Sequence, residues 1–572
     1  MGKKIWICAG NTLEKRISEL MAKFSLPRPI ALFLANRNID VENVELFMNP
    51  VLGKLSDPYR FPGIKDAVAR LWDAICNDEP ILIHGDYDTD GITATALLSS
   101  VLRHNGAKVT SFIPHRFDDG YGFTPESLDK ALENMGGRCG VLVTVDCGIT
   151  SIEAVEHARE LGIDVIITDH HEPINEIPNA LAIINPKVYS QLNDLDLLAG
   201  AGVAFKLSHA FIKWGREQQL GGFNTKLQEV LDFVALGTIA DIVPILGENR
   251  ILVKYGLEIL KKQLRPGIRA LIESARASQK LRTSDITFKL APRLNAAGRL
   301  GDAYASLALL ESDNIVEAYK FAAKLDDYNH QRQELEQEIY AQAKAIIENE
   351  LDIKNTNSIV VAGENWHQGV IGIVASRLAR DYNRPAIVLT IIDGMAHGSG
   401  RSIGSLNLVD VLVKCSDLLE RHGGHPMAVG LGLKSENIQE FATVFEEYTR
   451  GSLSEHDLCN STVYDGDVEL RELDDHFFAI LDKLSPFGHS NNKPLFRFNN
   501  LETVKCTPIA GNKHCRGILR NHKNEQIEFI AFNCKKEDIS RYPMDILATP
   551  QLNDFYNEKR PQLQIVDIIP SC

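Results

Sequence analysis

The segment ILIHGDYDTDGITATALLSSVLRH (Ile81–His104) decides the fold of the first half of this chain. It opens with an apolar run of strand length and continues through the acidic motif DYDTDG. It ends in a pattern typical of a buried helix, which stops at Asn105-Gly106. A strand that turns through polar residues into a helix is the building unit of a parallel α/β sheet.

The same unit repeats in the sequence that follows. The strand pattern KVTSFIP precedes the helical pattern PESLDKALENM, and VLVTV (Val141–Val145) precedes SIEAVEHARELG. A further apolar run is DVIIT (Asp164–Thr168). This order predicts a parallel sheet covered by helices on both faces, with a ligand site beyond the carboxyl ends of the strands.

The rest of the chain indicates a long helix, a second α/β unit and a small β-barrel. An alanine-rich helical pattern begins at Ile315, strand and helix patterns resume near Ser358, and short strand-like pieces follow after about residue 455. We therefore expect five segments: an N-terminal helical segment (1–50), a first α/β domain (51–305), a connecting long helix (306–355), a second α/β domain (356–452) and a barrel (453–572).

The composition is that of an ordinary globular protein. The 572 residues are 44% hydrophobic and 24% charged, and no window approaches the roughly 20 apolar residues of a membrane span. The N-terminus lacks the pattern of a signal peptide. Because the ten cysteines include no CxxC pair, we expect reduced thiols in a cytoplasmic protein rather than disulfides or a zinc site.

The formal net charge of −15 by itself argues against a nucleic-acid partner, because phosphate binding favours a positive surface. One cation-rich stretch would supply a local basic groove. Its members are Lys254, Lys261, Lys262, Arg265, Arg269, Arg276, Lys280, Arg282, Lys289, Arg293 and Arg299. Solvated helix faces are an equally good interpretation of these cations.

Acidic residues and histidines follow four of the apolar runs. They are His84, Asp86, Asp88 and Asp90, then Asp146, then Asp169, His170 and His171, and finally Asp241 in DFVALGTIADIVP. By the strand rule these groups should converge at one edge of the sheet. Carboxylates that close repel one another unless cations lie between them. Oxygen ligands mixed with a histidine nitrogen suit Mn²⁺ or Mg²⁺, and several shared carboxylates suggest two ions.

Each motif taken alone has a simpler explanation. An Asp after a strand is often a helix N-cap, and a histidine pair more often lies at the surface or in a satisfied core than at a metal. Four such motifs together favour the metal site. An EF-hand is excluded for DYDTDG, because no Glu stands at the closing position.

These motifs resemble those of a known superfamily. DYDTDG, VDCG, DHH and GTIADIVP are similar, in this order, to the four motifs of the DHH phosphoesterases. Four further segments narrow the resemblance to the RecJ family: IPHRFDDGYG (Ile113–Gly122), PRLNAAGRLGDA (Pro292–Ala303), GSGRS (Gly398–Ser402) and GGH (Gly423–His425). The resemblance covers essentially the whole chain.

The resemblance implies an α/β fold in which a parallel-sheet DHH domain is joined by a long helix to a DHH-associated α/β domain, with a C-terminal OB-fold barrel. It implies a single-stranded-DNA-specific exonuclease that hydrolyses phosphodiester bonds from 5′ to 3′ with Mn²⁺ or Mg²⁺, two ions in all. The products are 5′-mononucleotides, and the context is DNA repair and recombination. The implied partners are single-stranded DNA, a single-strand-binding protein and a RecQ-type helicase, for a protein that is itself a monomer.

The resemblance also assigns site residues. The expected metal ligands are Asp88, Asp90, Asp146, His170 and Asp241, while His84 and Asp86 are further ligands or their neighbours. The expected catalytic residues are His171, which contacts the scissile phosphate or orients the attacking water, together with Asp146 and Asp86. The residues that match DNA-phosphate positions are Arg116, Arg299, Ser399, Arg401 and His425. Without the family context, GSGRS would be an ordinary turn and GGH a helix C-cap.

The barrel departs from the family pattern. PFGHSNNKP (Pro486–Pro494) lacks the second Gly and the Pro that usually follow PFG, and Phe555-Tyr556 replaces the usual late Trp. Candidates for base stacking are Phe529, Phe532, Phe555 and Tyr556, although at least half of them are expected to be buried barrel aromatics. The departures affect the DNA contacts of the barrel rather than catalysis.

Two alternative functions remain. A small-molecule or short-oligonucleotide phosphodiesterase of the same superfamily would share the metal motifs, but would not need the barrel or PRLNAAGRLGDA. A non-catalytic DNA-binding scaffold would have lost metal ligands, whereas all the acidic motifs are intact here.

Overall fold

The structure, a computed structural model, describes residues 5–9, 14–115, 122–174, 176–404, 406–454, 456–539, 543–553 and 559–571. The chain forms two compact units. The larger comprises Trp6–Pro292, Ser306–Lys320 and Val463–Cys572, and the smaller comprises Met1–Ile5, Arg293–Ala305 and Phe321–Thr462. Among the described residues, no helix is both long and apolar enough to cross a bilayer.

The predicted parallel sheet is confirmed in the larger unit. In spatial order its strands are Val109–Phe112, Ile81–Gly85, Val141–Val145, Asp164–Thr168 and Ala182–Ile184. All neighbours are parallel. Two of the three inner strands, Ile81–Gly85 and Val141–Val145, are buried along their whole length, which explains their continuous apolar runs. The short fifth strand was not predicted.

Helices cover this sheet and extend the domain. They are Ile64–Cys76, Thr89–His104, Pro125–Asn134, Ile152–Glu160, Gly200–Glu217, Leu231–Ala240, Gly247–Lys262 and Pro266–Ser274. One prediction about them was wrong. Asp241 follows the helix Leu231–Ala240 and not a strand. A helix buried on every side is apolar all round, so its sequence has the same appearance as a buried strand.

The C-terminal barrel has the strands Gly466–Asp467, Phe496–Ile509, His514–Arg520, Gln526–Ala531, Met544–Asn553 and Arg560–Pro570. The pairing of Phe496–Ile509 with Met544–Asn553 closes it, as an OB fold requires. Phe529 is completely buried in its core and therefore does not stack on a base. Phe532 is 50% exposed, and Phe555 and Tyr556 lie outside the described residues.

The N-terminal segment packs with the barrel. After the strand Ile5–Cys8, its helices are Glu14–Phe24, Arg28–Asn36 and Val44–Met48. They share one apolar core with the barrel strands and with the helix Asp475–Lys483.

The buried Arg250 also links these parts of the larger unit. It donates to the backbone carbonyls of Phe47, Lys483, Ser485 and Pro486, and its guanidinium lies 4.0 Å from the ring centre of Phe47. These four acceptors satisfy a buried cation without a carboxylate.

The smaller unit contains a second, mixed sheet. In spatial order its strands are Arg421–His425, Ala428–Lys434, Met395–Arg401, Ala386–Ile392 and Ile359–Glu364. Its helices include Gln368–Tyr382, Leu408–Lys414, Ile438–Ser452 and most of the long helix Ile315–Glu350, whose residues Ile339, Ala343 and Ile347 join the core.

Three details differ from the simple motif interpretations. GSGRS lies mainly on the strand Met395–Arg401, and GGH lies on the strand Arg421–His425, so neither is a turn or a helix cap. PRLNAAGRLGDA forms much of the helix Ala291–Leu300 rather than a loop. The expected first α/β domain extends to residue 305, whereas Arg293–Ala305 belongs to the smaller unit. The five-segment division therefore remains a proposal.

Candidate metal centre

The carboxyl ends of the strands bring the acidic and histidine motifs together in the larger unit. Three groups have ligand atoms that all lie within 4.8 Å of one another. They are Asp86 with Asp88 and Asp146, Asp90 with His170 and Asp241, and Asp146 with His170 and His171. Since Asp146 and His170 each belong to two groups, the arrangement offers adjacent cation positions that share ligands.

Asp146 is held at the centre of these groups by an unusual backbone. Its φ angle is 61°, a left-handed conformation that costs a non-glycine residue energy and is found mostly at functional sites. Its N–H donates to the carbonyl of Thr168, so the residue lies against the neighbouring strand end. Within the described part of the chain, no donor forms a hydrogen bond to the buried Oδ1 of Asp146, and Nε2 of His170 lies 3.1 Å from that oxygen.

Asp90 lies deeper, against the start of a helix. Its carboxylate accepts from the N–H groups of Gly200 (2.6 Å) and Ala201 (3.0 Å), where a helix N-terminus favours negative charge. A Cβ at Gly200 would lie 2.4 Å from Oδ1 of Asp146, and one at Gly237 would lie 2.4 Å from Oδ1 of Asp90. Both glycines are therefore needed for the carboxylates to fit.

Asp88 serves as a helix cap and also belongs to the cluster. Its Oδ1 accepts from the N–H groups of Asp90 (2.8 Å) and Gly91 (3.1 Å). The capping interpretation of this Asp is thus correct, but it uses one carboxylate oxygen only. The other oxygen is left for the group that Asp88 forms with Asp86 and Asp146.

Asp241 enters from the C-terminal end of the helix Leu231–Ala240. Its Oδ2 lies 3.6 Å from Nε2 of His170. The next residue, Ile242, has a φ of 60°, which is a true outlier for a β-branched side chain. A positive φ at Asp146, and at Ile242 directly after Asp241, indicates that the surrounding structure fixes the positions of these two carboxylates.

The buried carboxylates of the three groups repel one another, which favours the binding of a cation among them. Burial and the charge of Asp88 raise the pKa of Asp90 to about 7, and burial and Asp90 raise the pKa of Asp241 to about 8. Burial, together with the neighbouring carboxylates, holds the pKa of Asp146 well above its usual range. Burial lowers the pKa of His170 to about 3, which keeps its imidazole in the neutral form that binds metals.

This donor set fits a divalent cation. Carboxylate oxygens with a neutral imidazole, and no thiolate in the three groups, match the preference of Mn²⁺ and of the similarly hard Mg²⁺. A bound cation would offset the mutual repulsion that raises the carboxylate pKa values.

Asp169 is a residue whose role the sequence analysis missed. Its Oδ1 accepts from the N–H groups of His170 and His171 and lies 2.8 Å from Nδ1 of His171, while its Oδ2 accepts from the N–H of Ile149. Burial lowers the pKa of His171, but the hydrogen bond and charge of Asp169 outweigh it and raise that pKa to about 9. Asp169 thus fixes the orientation and the protonated form of His171.

His84 lies apart from the three groups. Its Nε2 is 3.0 Å from the hydroxyl oxygen of Ser127, and its Nδ1 is 4.0 Å from Sγ of Cys147. Within the described residues the structure does not bring it into any cluster of potential ligands, although it does bring Asp86 there.

The smaller unit contains three of the residues that match DNA-phosphate positions. Arg299 donates to the carbonyl of Gly369, and Arg401 donates to the hydroxyl of Ser399 and to the carbonyl of Gly400. A Cβ at Gly372 would lie 3.0 Å from Oγ of Ser399 and 3.4 Å from a guanidinium nitrogen of Arg401. The first turn of the helix Gln368–Tyr382 therefore adjoins Arg299, Ser399 and Arg401, a neighbourhood that the sequence analysis missed.

Two further phosphate candidates are His425, also in the smaller unit, and Arg116. His425 is exposed on the edge strand Arg421–His425. Arg116 lies outside the described residues.

Three protein-family models match the chain. They are the DHH family N-terminal domain at residues 80–238, the DHHA1 domain at 355–451 and the RecJ OB domain at 464–567. Together they cover the acidic cluster apart from Asp241, the second sheet and most of the barrel.

Among curated proteins, the chain is 36% identical over 563 residues to the single-stranded-DNA-specific exonuclease RecJ of Bacillus subtilis, covering 97% of this chain and 69% of that protein. It is 38% identical over 533 residues to the protein of the same name from Escherichia coli, covering 89% and 90%.

Solved structures give the same result. The crystal structure of Thermus thermophilus RecJ in complex with Mn²⁺ matches with a TM-score of 0.83 and 28% identity, covering 100% of this chain and 80% of that one. The Mg²⁺ complex matches with a TM-score of 0.75 and 26% identity, covering 100% and 79%. On the sequence identity, the domain models and the fold together, the chain belongs to the RecJ family.

Proposed function

We propose that this chain digests single-stranded DNA from its 5′ end and releases 5′-mononucleotides. The chain is a metal-dependent exonuclease that acts on single-stranded DNA, in line with its RecJ relatives. The observation that carries the proposal is that the four acidic and histidine motifs form three ligand groups that share Asp146 and His170, in a chain that also has an OB barrel.

The metal-binding residues of this proposal are Asp86, Asp88, Asp90, Asp146, His170 and Asp241, with His84 outside them. Two Mn²⁺ or Mg²⁺ ions held there would activate a water molecule and neutralise charge on the phosphate. The residues of the chain do the rest of the positioning. His171, protonated and oriented by Asp169, donates to the scissile phosphate, while Arg299, Ser399 and Arg401 hold the terminal phosphate. Arg116 and His425 complete the set of DNA contacts.

The chemistry is an in-line displacement. Water attacks the phosphorus and the 3′ oxygen of the terminal nucleotide leaves, so that each cycle yields one 5′-mononucleotide. Asp146 belongs to two of the three ligand groups, so it would help to hold both ions.

The wider role follows from the family. We include in the proposal a monomeric, cytoplasmic enzyme of DNA repair and recombination, assisted by a single-strand-binding protein and a RecQ-type helicase. A phosphodiesterase for small molecules is not favoured, since it has no use for the barrel.

The test of polarity uses single strands labelled at the 5′ or the 3′ end, with Mn²⁺ or with EDTA. We expect the 5′ label to appear at once as a mononucleotide, EDTA to abolish turnover, and blunt duplex of the same sequence to be a poor substrate. Early release of the 3′ label would refute the polarity. Equal rates on single strand and blunt duplex would contradict the single-strand specificity.

A second prediction concerns the orientation of His171. Replacing Asp169 with asparagine removes the charge that orients this imidazole and keeps it protonated, and we expect kcat to fall about tenfold, as is common when a neighbour of a metal-site residue is lost. The steady-state rate on a labelled single strand measures it. Asp164→Asn, at the opposite end of the same strand, is the control. Equal rates for the two variants would show that Asp169 has no such role.

A further inference from the structure

A cation-rich groove lies in the larger unit between the catalytic domain and the barrel. Its volume is about 670 Å³. Its six cations are Lys254, Lys261, Lys280, Arg282, Lys493 and Lys559, against the two carboxylates of Glu258 and Asp482. The chain as a whole has a net charge of −15. The local excess of positive charge in this groove therefore favours the binding of a polyanion.

The segment that lines one side of this groove leads towards the metal centre. Arg282, Thr283 and Ser284 line the groove, and the chain then forms the π-helical turn Ile286–Leu290. That turn packs against the helix Leu231–Ala240, which ends at Asp241. Directly after the turn, the carbonyl of Ala291 accepts from the hydroxyl of Thr89, the residue between Asp88 and Asp90.

Phe288 projects from this turn. It is 77% exposed, the highest value for any large apolar side chain among the described residues, while Ile286 and Leu290 on either side are buried. Single-turn π-helices occur often at functional sites. An aromatic ring that projects from a helical turn into solvent, on the segment that leads to the groove cations, has the properties of a stacking platform for unpaired bases.

We propose that Phe288 stacks on a base of the single strand on the 3′ side of the scissile phosphate, and that the groove cations bind the phosphates that follow. This inference rests on the proposed function, which places the 5′ end at the metal centre. The turn lies between that centre and the groove, so a strand that leaves the centre along this segment meets Phe288 before it meets the cations.

The chemistry favours DNA over an acidic peptide. An acidic peptide would bind in the groove alone and would not explain the exposed Phe288. A DNA strand that runs from the metal centre to the groove would pass Phe288, because this residue lies on the segment that joins the two. The stacking contact also requires no particular base, as a non-specific exonuclease needs, because every base has a flat aromatic face.

The first test is kinetic and compares Phe288→Ala with the wild type on a 5′-phosphorylated dinucleotide and on a 16-nucleotide strand. Loss of one stacking contact is expected to reduce the advantage of the long strand, measured as the ratio of the two kcat/KM values, by about tenfold. Phe288→Trp should restore it. Leu161→Ala removes another exposed side chain (50% exposed), which lies before the start of the strand Asp164–Thr168, at the end of the sheet away from the metal centre. This variant should leave the ratio of the two kcat/KM values unchanged. An unaltered ratio in Phe288→Ala would overturn the proposal.

The second test is spectroscopic and does not depend on turnover. In an Asp146→Ala background, 2-aminopurine is placed at successive positions from the 5′ end of a strand, and its fluorescence is read on binding. We expect quenching at one or two positions that Phe288→Leu removes and Phe288→Trp keeps. Quenching that is identical with and without the aromatic ring would refute the stacking contact. Degradation of the wild-type substrate from the 3′ end would instead refute the proposed function, since the position of the quenched base would then be counted from the wrong end.

Discussion

Replacing Asp146 with alanine is expected to reduce kcat on single-stranded DNA by about a thousandfold or more. Asp146 belongs to two of the three ligand groups, so its loss affects both cation positions at once. Stabilisation of transition-state charge by a bound cation amounts to several kcal/mol, and each 1.36 kcal/mol is a factor of ten in rate. DNA binding should be largely retained, because the proposed phosphate contacts Arg299, Ser399 and Arg401 are outside the ligand groups. The measurement is single-turnover hydrolysis at saturating Mn²⁺, with filter binding of the same strand.

Thermal unfolding provides a second measure for this variant. Without metal, Asp146 is a buried carboxylate among like charges, and burial with their repulsion holds its pKa well above the usual range. The melting temperature in EDTA should therefore not fall. Added Mn²⁺ should raise the melting temperature of the wild type through binding to the folded state, and that of Asp146→Ala much less.

The control for both measurements is Asp73→Ala, an exposed carboxylate on the helix Ile64–Cys76. It should match the wild type in rate and in the response to Mn²⁺. If Asp146→Ala retained more than a few per cent of the wild-type turnover, the assignment of this residue as the shared ligand would be wrong.

The parallel sheet was predictable because its signals are local. The continuous apolar run at Ile81, the polar turn after it and the helix that follows are all readable within one short segment. The complete burial of the strands Ile81–Gly85 and Val141–Val145 explains why their apolar runs do not alternate. The same logic failed at Asp241, since an apolar run on its own does not distinguish a buried strand from a buried helix.

The parts of the site that were missed depend on approaches between distant segments. Nothing in the sequence near Gly200 or Gly237 indicates that a methyl group there would collide with the carboxylates of Asp146 and Asp90. The role of Asp169 depends on the orientation of its carboxylate towards His171 rather than into the cluster. Residue type and spacing identified the ligand candidates, whereas the neighbours that position them required coordinates.

The cation-rich stretch between Lys254 and Arg299 is a further case in which the sequence identified the residues but not their roles. Several of its cations form ion pairs, including Arg265 with Asp232, Arg269 with Glu273 and Arg293 with Asp326. Lys280 and Arg282, with Lys254 and Lys261, line the groove beside the barrel. Ion-paired cations and groove cations thus both occur along this stretch, and only the fold distinguishes them.

The arginines near the start of the helix Gln368–Tyr382 carry the prediction about direction. Arg299 and Arg401 are held by backbone carbonyls of Gly369 and Gly400, which restricts the guanidinium groups before any ligand binds. Guanidinium groups suit phosphate oxygens. If they bind the 5′-terminal phosphate, Arg299→Ala and Arg401→Ala should each lose about 1.5–3 kcal/mol of transition-state binding, which is roughly a 10- to 150-fold fall in kcat/KM.

The size of that loss should depend on the substrate. A 5′-phosphorylated strand carries extra negative charge at its end, so we expect a larger loss for it than for a 5′-hydroxyl strand of the same sequence. Mn²⁺ affinity should be unchanged, because neither arginine belongs to the ligand groups. Arg380→Ala is the matched control and should behave as the wild type does. Arg380 lies near the other end of the helix Gln368–Tyr382, and its side chain is 74% exposed. If both variants lost the same factor on the two substrates, Arg299 and Arg401 would be general phosphate contacts, and the recognition of the 5′ end would have to come from other residues.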